Sequence, residues 1–435
     1  MAIKISGTTI INDSRAILDH TSNVGTAGSM LVSTGAGICW KSAPSGFSED
    51  AQGNLYAGTT AGEDSDADTY YNIGIGYSAG HSNAAGDKNV FLGYCAGANV
   101  KGGGCNIAIG NMSGVGTDGQ TTGGVENITM GLFAGKCLGD DSYFNIIIGK
   151  SGHTMTNGHR NILVGHFAGA YGYPNGNRNI VIGEYAGRNL AAGSCNILLG
   201  ASAGCNFGTG EENIAIGRLA MGNSTVTGNC NIAIGVMAGK ALTSGSCNVF
   251  LGECAGKCVD TYARNTFLGS KAGHYTCGCD NTSVGWNAGS NIVGDYNVFI
   301  GRNAGKGESN SNTHRNIGIG FNALDDLANG CCNTAVGQEA GWSVSSGHNN
   351  VLLGSCAGYY VTTGDYNVLI GAGTSAPSAT GDTQMAIGAG SNNWITGNSN
   401  FNVGIGTNRH DTVVGSAVTA KLSVGIVSAY QLYGD

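Results

Sequence analysis

Asn213-Ile214-Ala215-Ile216-Gly217 is one copy of a five-residue sequence that recurs along the chain. Each copy begins with an anchor residue, nearly always Asn, carries an aliphatic residue at its fourth position and nearly always at its second, and ends with Gly. The anchors are Asn72, Asn89, Asn106, Asn127, Asn145, Asn161, Asn179, Asn196, Asn213, Asn231, Asn248, Asn265, Asn281, Asn297, Asn316, Asn333, Asn350, Asn367, Gln384 and Asn402. Their spacing averages about 17 residues, which is shorter than helical repeats and matches one turn of a β-solenoid. We number each coil from its anchor as position zero.

The pattern within a coil predicts a short strand that is apolar on both faces. Positions +1 and +3 are aliphatic, apart from Thr266, Thr282 and Thr334 at +1. Residues two apart in a strand share a face, so these two positions are predicted to fill the coil interior. Position +2 is also often large and apolar, and is predicted to face an identical chain around a symmetry axis. The phenylalanines predicted to lie between chains are Phe91, Phe250, Phe267 and Phe299.

Small and polar residues at fixed positions predict the corners of the coil. Position +4 is Gly in every copy, from Gly76 to Gly406, and is predicted to need positive φ or close contact with the next coil. Gly also recurs at position +8 and three residues before the next anchor, and position +7 is mostly Ala. The Asn column predicts a ladder in which each amide bonds its equivalent in the next coil.

The fixed phase of the aliphatic residues argues against a disordered Gly-rich linker. The 435-residue chain contains 78 Gly, a composition often associated with low complexity. Disorder does not require two aliphatic positions in every coil, and a hydrophobic content of 41% is enough to fold. We predict an all-β fold: a parallel β-solenoid, of β-roll or β-helix type, with about 20 coils and a period of about 17 residues, assembled as a homotrimeric fibre. At roughly 4.8 Å per coil the rod would be about 95 Å long.

Three regions are predicted along the chain. Residues 1–70 form an N-terminal region and linker, residues 71–390 the solenoid array, and residues 391–435 a C-terminal segment. Longer steps after Asn106 and Asn297 predict surface loops, because extra residues have no room inside the stack. A polar stretch before the first coil is predicted to be a solvated linker, with cation binding as the alternative. Its acidic residues are Glu63, Asp64, Asp66 and Asp68.

Charge and hydropathy argue against several classes of partner. The net charge is −8 and the 20 Lys and Arg residues are scattered singly, so nucleic acid is not expected to bind. No apolar run approaches 18 residues, so we predict no membrane insertion. The N-terminal residues from Met1 to Ile11 lack the order of a signal peptide, so export by the general route is not expected.

The 15 cysteines are predicted to be free thiols. Many occupy repeat positions, such as Cys230 and Cys247 directly before their anchors, where stacked neighbours are spaced poorly for a disulfide. We expect them to act as small apolar fillers after folding in a reducing cytosol. A zinc site is the alternative, although the cysteines that prompt it lack the spacing of a structural zinc site. These are Cys277, Cys279, Cys331 and Cys332.

The sequence shows no arrangement of catalytic residues. A glycan-degrading tailspike would need paired carboxylates about 5 to 9 Å apart. The adjacent pairs Asp140-Asp141 and Asp325-Asp326 would point to opposite faces of a strand and are predicted to be solvated turn residues. The nine histidines are scattered without a Ser-His-Asp or Cys-His arrangement. We predict no enzyme activity, no catalytic, cofactor-binding or metal-binding residues, and no cofactor.

The coil sequence Asn-Ile-x-Ile-Gly-x-x-Ala-Gly resembles the head repeats of trimeric autotransporter adhesins, over about 330 of the 435 residues. Their similar coils form left-handed parallel β-rolls that pack as a trimer. Such adhesins also carry a secretion signal and a C-terminal membrane anchor, neither of which we expect here. The resemblance implies the same kind of trimeric rod.

The two ends of the chain resemble tail-fibre proteins of tailed phages, particularly those infecting marine cyanobacteria. Residues 1–18 and 25–40 look like N-terminal portions of such fibres, and residues 402–407 with 421–424 are similar to a segment that often precedes a chaperone domain. The resemblance implies a structural fibre protein of the virion, assembled in the host cytoplasm and involved in host attachment. It also implies that residues 1–70 are an N-terminal attachment region and linker, and that residues 391–435 precede a chaperone domain or a further fibre region. Expected partners are two further copies, other tail or baseplate proteins at the N-terminal region, and a host-surface glycan or protein receptor. The alternatives are a non-viral trimeric surface adhesin and a glycan-degrading tailspike.

Overall fold

A computed structural model describes residues 3–5, 8–11, 29–33, 38–42, 49–116, 124–153, 155, 157–171, 175–308, 311–400, 402–406 and 422–424. All regular elements in these ranges are β-strands, and most contain only three residues. They are β1 (Ile3–Ile5), β2 (Thr8–Ile11), β3 (Ser29–Ser33), β4 (Ile38–Ser42), β5 (Leu55–Ala57), β6 (Ile73–Ile75), β7 (Val90–Leu92), β8 (Ile107–Ile109), β9 (Ile128–Met130), β10 (Ile146–Ile148), β11 (Ile162–Val164), β12 (Ile180–Ile182), β13 (Ile197–Leu199), β14 (Ile214–Ile216), β15 (Ile232–Ile234), β16 (Val249–Leu251), β17 (Thr266–Leu268), β18 (Thr282–Val284), β19 (Ile292–Val293), β20 (Val298–Ile300), β21 (Ser311–Asn312), β22 (Ile317–Ile319), β23 (Thr334–Val336), β24 (Val351–Leu353), β25 (Val368–Ile370), β26 (Met385–Ala389), β27 (Asn392–Gly397), β28 (Val403–Ile405) and β29 (Leu422–Val424).

The anchor-led strands stack in parallel, which confirms the predicted β-solenoid. The stack runs from β5 to β26 through about 19 turns with a period near 17 residues. Equivalent positions pair throughout, as Ile197 does with Ile214 and Leu198 with Ala215. The longer step after Asn106 does not shift this register, because Ile107 still pairs with Ile128. The anchor therefore sets the alignment of each coil regardless of the length between anchors.

The insertion after Asn297 forms part of a second parallel ladder. Strand β21, which follows the anchor Asn297, pairs in parallel with β19, which follows the preceding anchor, Asn281. Residues 309–310 of this insertion, and residues 117–123 of the insertion after Asn106, lie outside the described residues. The predicted surface loop is therefore replaced, at residues 311–312, by regular pairing with the coil before it.

The predicted orientation of the strands is wrong: position +2 points into the coil, and positions +1 and +3 point out. Phe91, Phe250 and Phe267 have no exposed surface, and Phe299 is 1% exposed, all within a single chain. The reason lies in the anchor itself. Its Asn side chain is buried to bond the neighbouring coil, and residues two apart share a face, so position +2 must also point inward. The four phenylalanines form the interior of the coil rather than a surface between chains.

Three columns of side chains fill the coil interior. Position +2 supplies the large residues, as where the rings of Phe250 and Phe267 stack at 5.4 Å. Position +7 supplies fully buried alanines such as Ala203 and Ala255. A third column, which the sequence analysis did not identify, lies near position +11. It includes Leu190, Phe207, Leu242, Val259, Ile292, Leu327, Val344 and Val361.

The glycine at position +4 is a steric requirement, as predicted. Gly217 has a φ of +128°, and a Cβ there would lie 2.5 Å from the carbonyl oxygen of Gly235 in the next coil. Gly183 and Gly320 show the same conformation and the same contact with the coil above them. Any larger residue at this corner would be strained and would also push two coils apart.

The Asn ladder is confirmed, and it extends the array at its N-terminal end. The Asn213 backbone N–H and Nδ2 donate to Oδ1 of Asn196 at 2.9 and 3.3 Å, and Nδ2 also donates to the Gly228 carbonyl at 2.9 Å. The same bonds join Asn72 to Asn54, so a first coil precedes the first predicted anchor. Residues 54–70, which were predicted to belong to the N-terminal attachment region and linker, form most of this coil.

The parallel stack ends at β26, although Asn402 is one of the anchors identified in the sequence. Gln384 takes the place of Asn in the ladder, and its backbone N–H donates to Oδ1 of Asn367 at 2.8 Å. Strand β27 then turns back antiparallel to β26, and β28 is antiparallel to β27. Asn402 consequently does not anchor a further parallel coil, although its sequence matches the repeat. Strand β28 in turn pairs in parallel with β29.

Candidate functional site

The most extensive unpartnered feature of the described residues is the outward face of the stacked strands. We define the outward face as the side chains at positions +1 and +3 of the anchor-led coils from Asn54 to Gln384. These side chains are partly or largely exposed, as Ile182 at 41%, Ile234 at 38% and Ile300 at 39% illustrate. The outward face arises because the alternation of the strand sends these two positions away from the packed interior.

The outward face contains no charged residue. Every coil contributes two side chains to it, and these are Ile, Val, Leu, Met, Ala or Thr. Strands stack about 4.8 Å apart, so about 19 steps make an aliphatic stripe roughly 90 Å long. Parallel sheets are ordinarily covered on both faces, and apolar patches of this extent mark interaction surfaces. Within the part of the chain that the structure describes, only one face of this sheet is covered.

Charged and aromatic residues line the two edges of the outward face. At the edge before the anchors, Arg264 and Asp280 in successive coils form two hydrogen bonds of 2.6 and 2.8 Å. The hydrogen bonds from Arg264 lower the pKa of the Asp280 carboxyl. At the other edge the Arg302 guanidinium lies 5.1 Å from the ring of Trp286, and 5.7 Å from that of Phe321. The outward face is thus an apolar stripe with a polar rim, which is the anatomy of a protein interface.

The residues before the anchors have an unusual backbone conformation. Cys195, Cys230 and Cys247 have φ near +60°, and so do the non-cysteine residues at this position. These three cysteines are exposed, so their predicted role as buried apolar fillers is wrong. The left-handed conformation turns the residue away from the interior just before the inward-pointing Asn. The described cysteines other than Cys39, whose side chain is outside the description, are free thiols.

The aspartate pairs considered as catalytic candidates lie in different environments. Asp141 accepts a hydrogen bond from the Tyr143 hydroxyl at 2.8 Å. Asp325 is only 7% exposed, its Oδ2 lies 3.6 Å from Lys306 Nζ, and its Oδ1 has no hydrogen-bond partner. Burial raises the pKa of the Asp325 carboxyl. The prediction of a solvated turn residue is therefore wrong for Asp325, because its coil packs between neighbouring coils at this corner.

The acidic cluster of the first coil is held by local contacts. His81 Nε2 lies 3.1 Å from the Glu63 carboxylate, and Asp66 accepts hydrogen bonds from the Asp68 backbone and the Thr69 hydroxyl. Across the described parts of the chain, no three His, Cys, Asp or Glu side chains are grouped so that they could hold a metal ion. Those same parts contain no helix that is long and apolar enough to cross a membrane.

Comparison with protein-family models, with curated proteins and with solved structures found no match to this chain. The function of this chain is therefore inferred from its fold and from the surfaces described above.

Proposed function

We propose that this chain is the structural subunit of a homotrimeric fibre, in which the outward faces of three chains pack around a common axis. The observation that carries the proposal is the outward face itself: an uncharged aliphatic stripe that follows the whole length of the stack. Buried apolar surface contributes about 25 cal/mol per Å², and a stripe of this length provides far more area than a transient contact needs.

Two arguments favour an assembly of three parallel chains. An apolar stripe that is continuous along one side of the stack is buried most completely when all chains run parallel. Each coil then packs against the equivalent coils of the other chains. The coil sequence resembles adhesin heads that assemble in this way as trimers. A trimer is therefore the assembly that we propose, with the charged and aromatic edges of the outward face at its periphery.

We further propose that the fibre is a tail appendage of a phage virion that spaces, and contributes to, host attachment. Support comes from the resemblance of residues 1–18, 25–40, 402–407 and 421–424 to phage tail fibres, together with a rod-like array suited to spanning distance. In this proposal the N-terminal region joins other tail or baseplate proteins. The fibre assembles in the host cytoplasm and presents a surface to a host glycan or protein.

Immunoelectron microscopy tests the proposed location. Antibody raised against the purified chain should label the tail fibres of intact virions purified from a lysate in which the gene is expressed. Pre-immune serum applied to the same particles provides the control. Labelling of the bacterial cell surface, with none on virions, would contradict the phage proposal and favour a cellular adhesin.

A further inference from the structure

An open groove lies near the C-terminal end of the stack, at a corner separate from the outward face. It has a volume of about 340 Å³ and is lined by Glu339, Cys356, Tyr359, Tyr360, Gly373 and Ser375. This volume lies at the lower end of the range of small-ligand pockets. The groove is formed within one chain.

The groove opens where a coil lacks a side chain that the two coils before it carry. Position +6 is Glu339 and Cys356 in two successive coils, but Gly373 in the third. Gly373 has a φ of +69° and follows the same backbone path, since its N–H donates to the Ser355 carbonyl at 2.7 Å. Gly373, Cys356 and Tyr359 all line the resulting groove.

Two tyrosines form an apolar corner on one side of the groove. The ring of Tyr359 stacks on Trp342 of the preceding coil, with a centroid distance of 5.0 Å and an interplanar angle of 17°. The next coil carries only Ala376 at the same position, so the stack of rings ends at Tyr359. Tyr360 stands nearly perpendicular to Tyr359, at 71°, and is 66% exposed. Tyr359 is thus a supported flat ring, and Tyr360 forms a wall beside it.

Polar groups converge on the opposite side of the groove. The Cys356 thiol donates to Oε2 of Glu339 at 3.5 Å, which uses only part of the acceptor capacity of the carboxylate. The Ser375 hydroxyl approaches the Gly373 carbonyl at 3.5 Å and retains its own acceptor capacity. A ligand in the groove would therefore meet a carboxylate, a hydroxyl and an aromatic face together.

We propose that this groove binds a neutral sugar residue, with the sugar ring against Tyr359 and its hydroxyls bonded to Glu339 and Ser375. A pyranose has an apolar C–H face for the aromatic ring and hydroxyl donors for a carboxylate. Sugar binding here would make the proposed host receptor a glycan, so this inference rests on the proposed function in host attachment.

The surrounding charges and ring geometry disfavour two other ligand classes. Glu339 and Asp326 place negative charge beside Tyr359, so an acidic sugar would be repelled. A quaternary ammonium ion would be attracted, but it binds best where ring faces surround it on several sides. Here one face of Tyr359 is already covered by Trp342, and Tyr360 supplies a single wall.

Saturation-transfer NMR on the full chain tests the proposal. The probes are the methyl glycosides of glucose, galactose, mannose, fucose and N-acetylglucosamine, at millimolar concentration. We expect at least one of them to bind, and Glu339→Gln to weaken that binding about tenfold, because hydrogen bonds to a charged group are strong. Tyr360→Ala should also weaken it, and neither change should alter the melting temperature appreciably, because both side chains line an open surface.

Tyr366→Ala is the matched control, because Tyr366 is 61% exposed and lies at the edge of the outward face, before Asn367. It should bind the same glycoside as the unaltered chain. The proposal is overturned if none of the five glycosides binds, or if Glu339→Gln binds as well as the unaltered chain. Binding of tetramethylammonium or methyl glucuronide alone would also overturn it. If the antibody labels virions but no glycoside binds, the sugar-binding proposal is refuted and the fibre proposal is not affected.

Discussion

The inward and outward sides of the same three-residue strands differ in composition and in role. Position +2 ranges from Gly and Ala to Phe, whereas positions +1 and +3 are aliphatic in nearly every coil. In β16 and β17, Phe250 and Phe267 are fully buried against each other, whereas the residues on either side of each ring point out of the coil. The inner residues contact only their own chain, and the outer residues have apolar surface without a partner. Changes on the inner side should therefore affect folding of one chain, and changes on the outer side should affect assembly.

The largest effect is expected at the corner that joins the two sides. Gly217→Val should destabilise the chain by several kcal/mol, because strained backbone costs on the order of 1–3 kcal/mol and the clash with the Gly235 carbonyl adds to this. We expect failure to fold into a rod, measured by circular dichroism and by gel resistance to detergent and heat. Ala201→Val, on an exposed position of the preceding coil, should behave like the unaltered chain.

A substitution in the inner column should destabilise the chain without changing how chains associate. Phe267→Ala leaves a cavity next to Phe250 and should lower the free energy of unfolding by about 3–5 kcal/mol. Thermal unfolding followed by circular dichroism measures this change. Leu268→Ala, one residue away and outward, should lower the stability of a dissociated chain much less. Equal losses for the two variants would contradict the orientation of the strand.

The anchor ladder should show an intermediate effect. Asn213→Ala leaves the buried Gly228 carbonyl and the buried backbone N–H of Asn231 without their partner, and each unsatisfied buried group costs about 1–3 kcal/mol. We expect a lower unfolding temperature and faster amide hydrogen exchange in the two adjoining coils. Asn223→Ala, outside the ladder in the same coil, is the comparison and should change neither quantity appreciably.

The smallest effect is expected for a conservative change on the outward face. Ile214→Val removes one methylene from a half-exposed side chain, so it should cost less than the range of about 0.5–1.5 kcal/mol typical of a buried site. The assembled rod should retain its heat resistance within a few degrees. A loss as large as that of Phe267→Ala would show that position +1 is core and that our description of the outward face is wrong.

The sequence predicted the features that repeat strictly, such as the coil period, the Asn213 ladder and the corner at Gly217. It did not predict the orientation, because position +2 is apolar in most coils, as positions +1 and +3 are, and hydrophobicity alone does not distinguish the faces. The buried amide of the anchor could have decided it, since an inward Asn places position +2 inward. The third core column was missed because its distance from the anchor varies: Phe207 lies at +11, but Val226 lies at +13.

The groove at Tyr359 could not be predicted from the sequence either. It depends on which residues of three successive coils meet at one corner, and on one coil having Gly373 where the others have larger side chains. The buried state of Asp325 was missed for the same reason. Contacts between coils at corners depend on the backbone path there, which the repeat pattern of the strands does not specify.

Sedimentation equilibrium tests the central claim most directly, which is that the outward face is an interface between chains. The unaltered chain should sediment at three times its 43.8 kDa mass, whereas the double variant Ile216→Lys with Ile234→Lys should sediment as a folded monomer, because two charges per chain would be buried without partners. Circular dichroism should show the same β content for both. A stable monomer of the unaltered chain, or a trimer that persists in the double variant, would contradict the account.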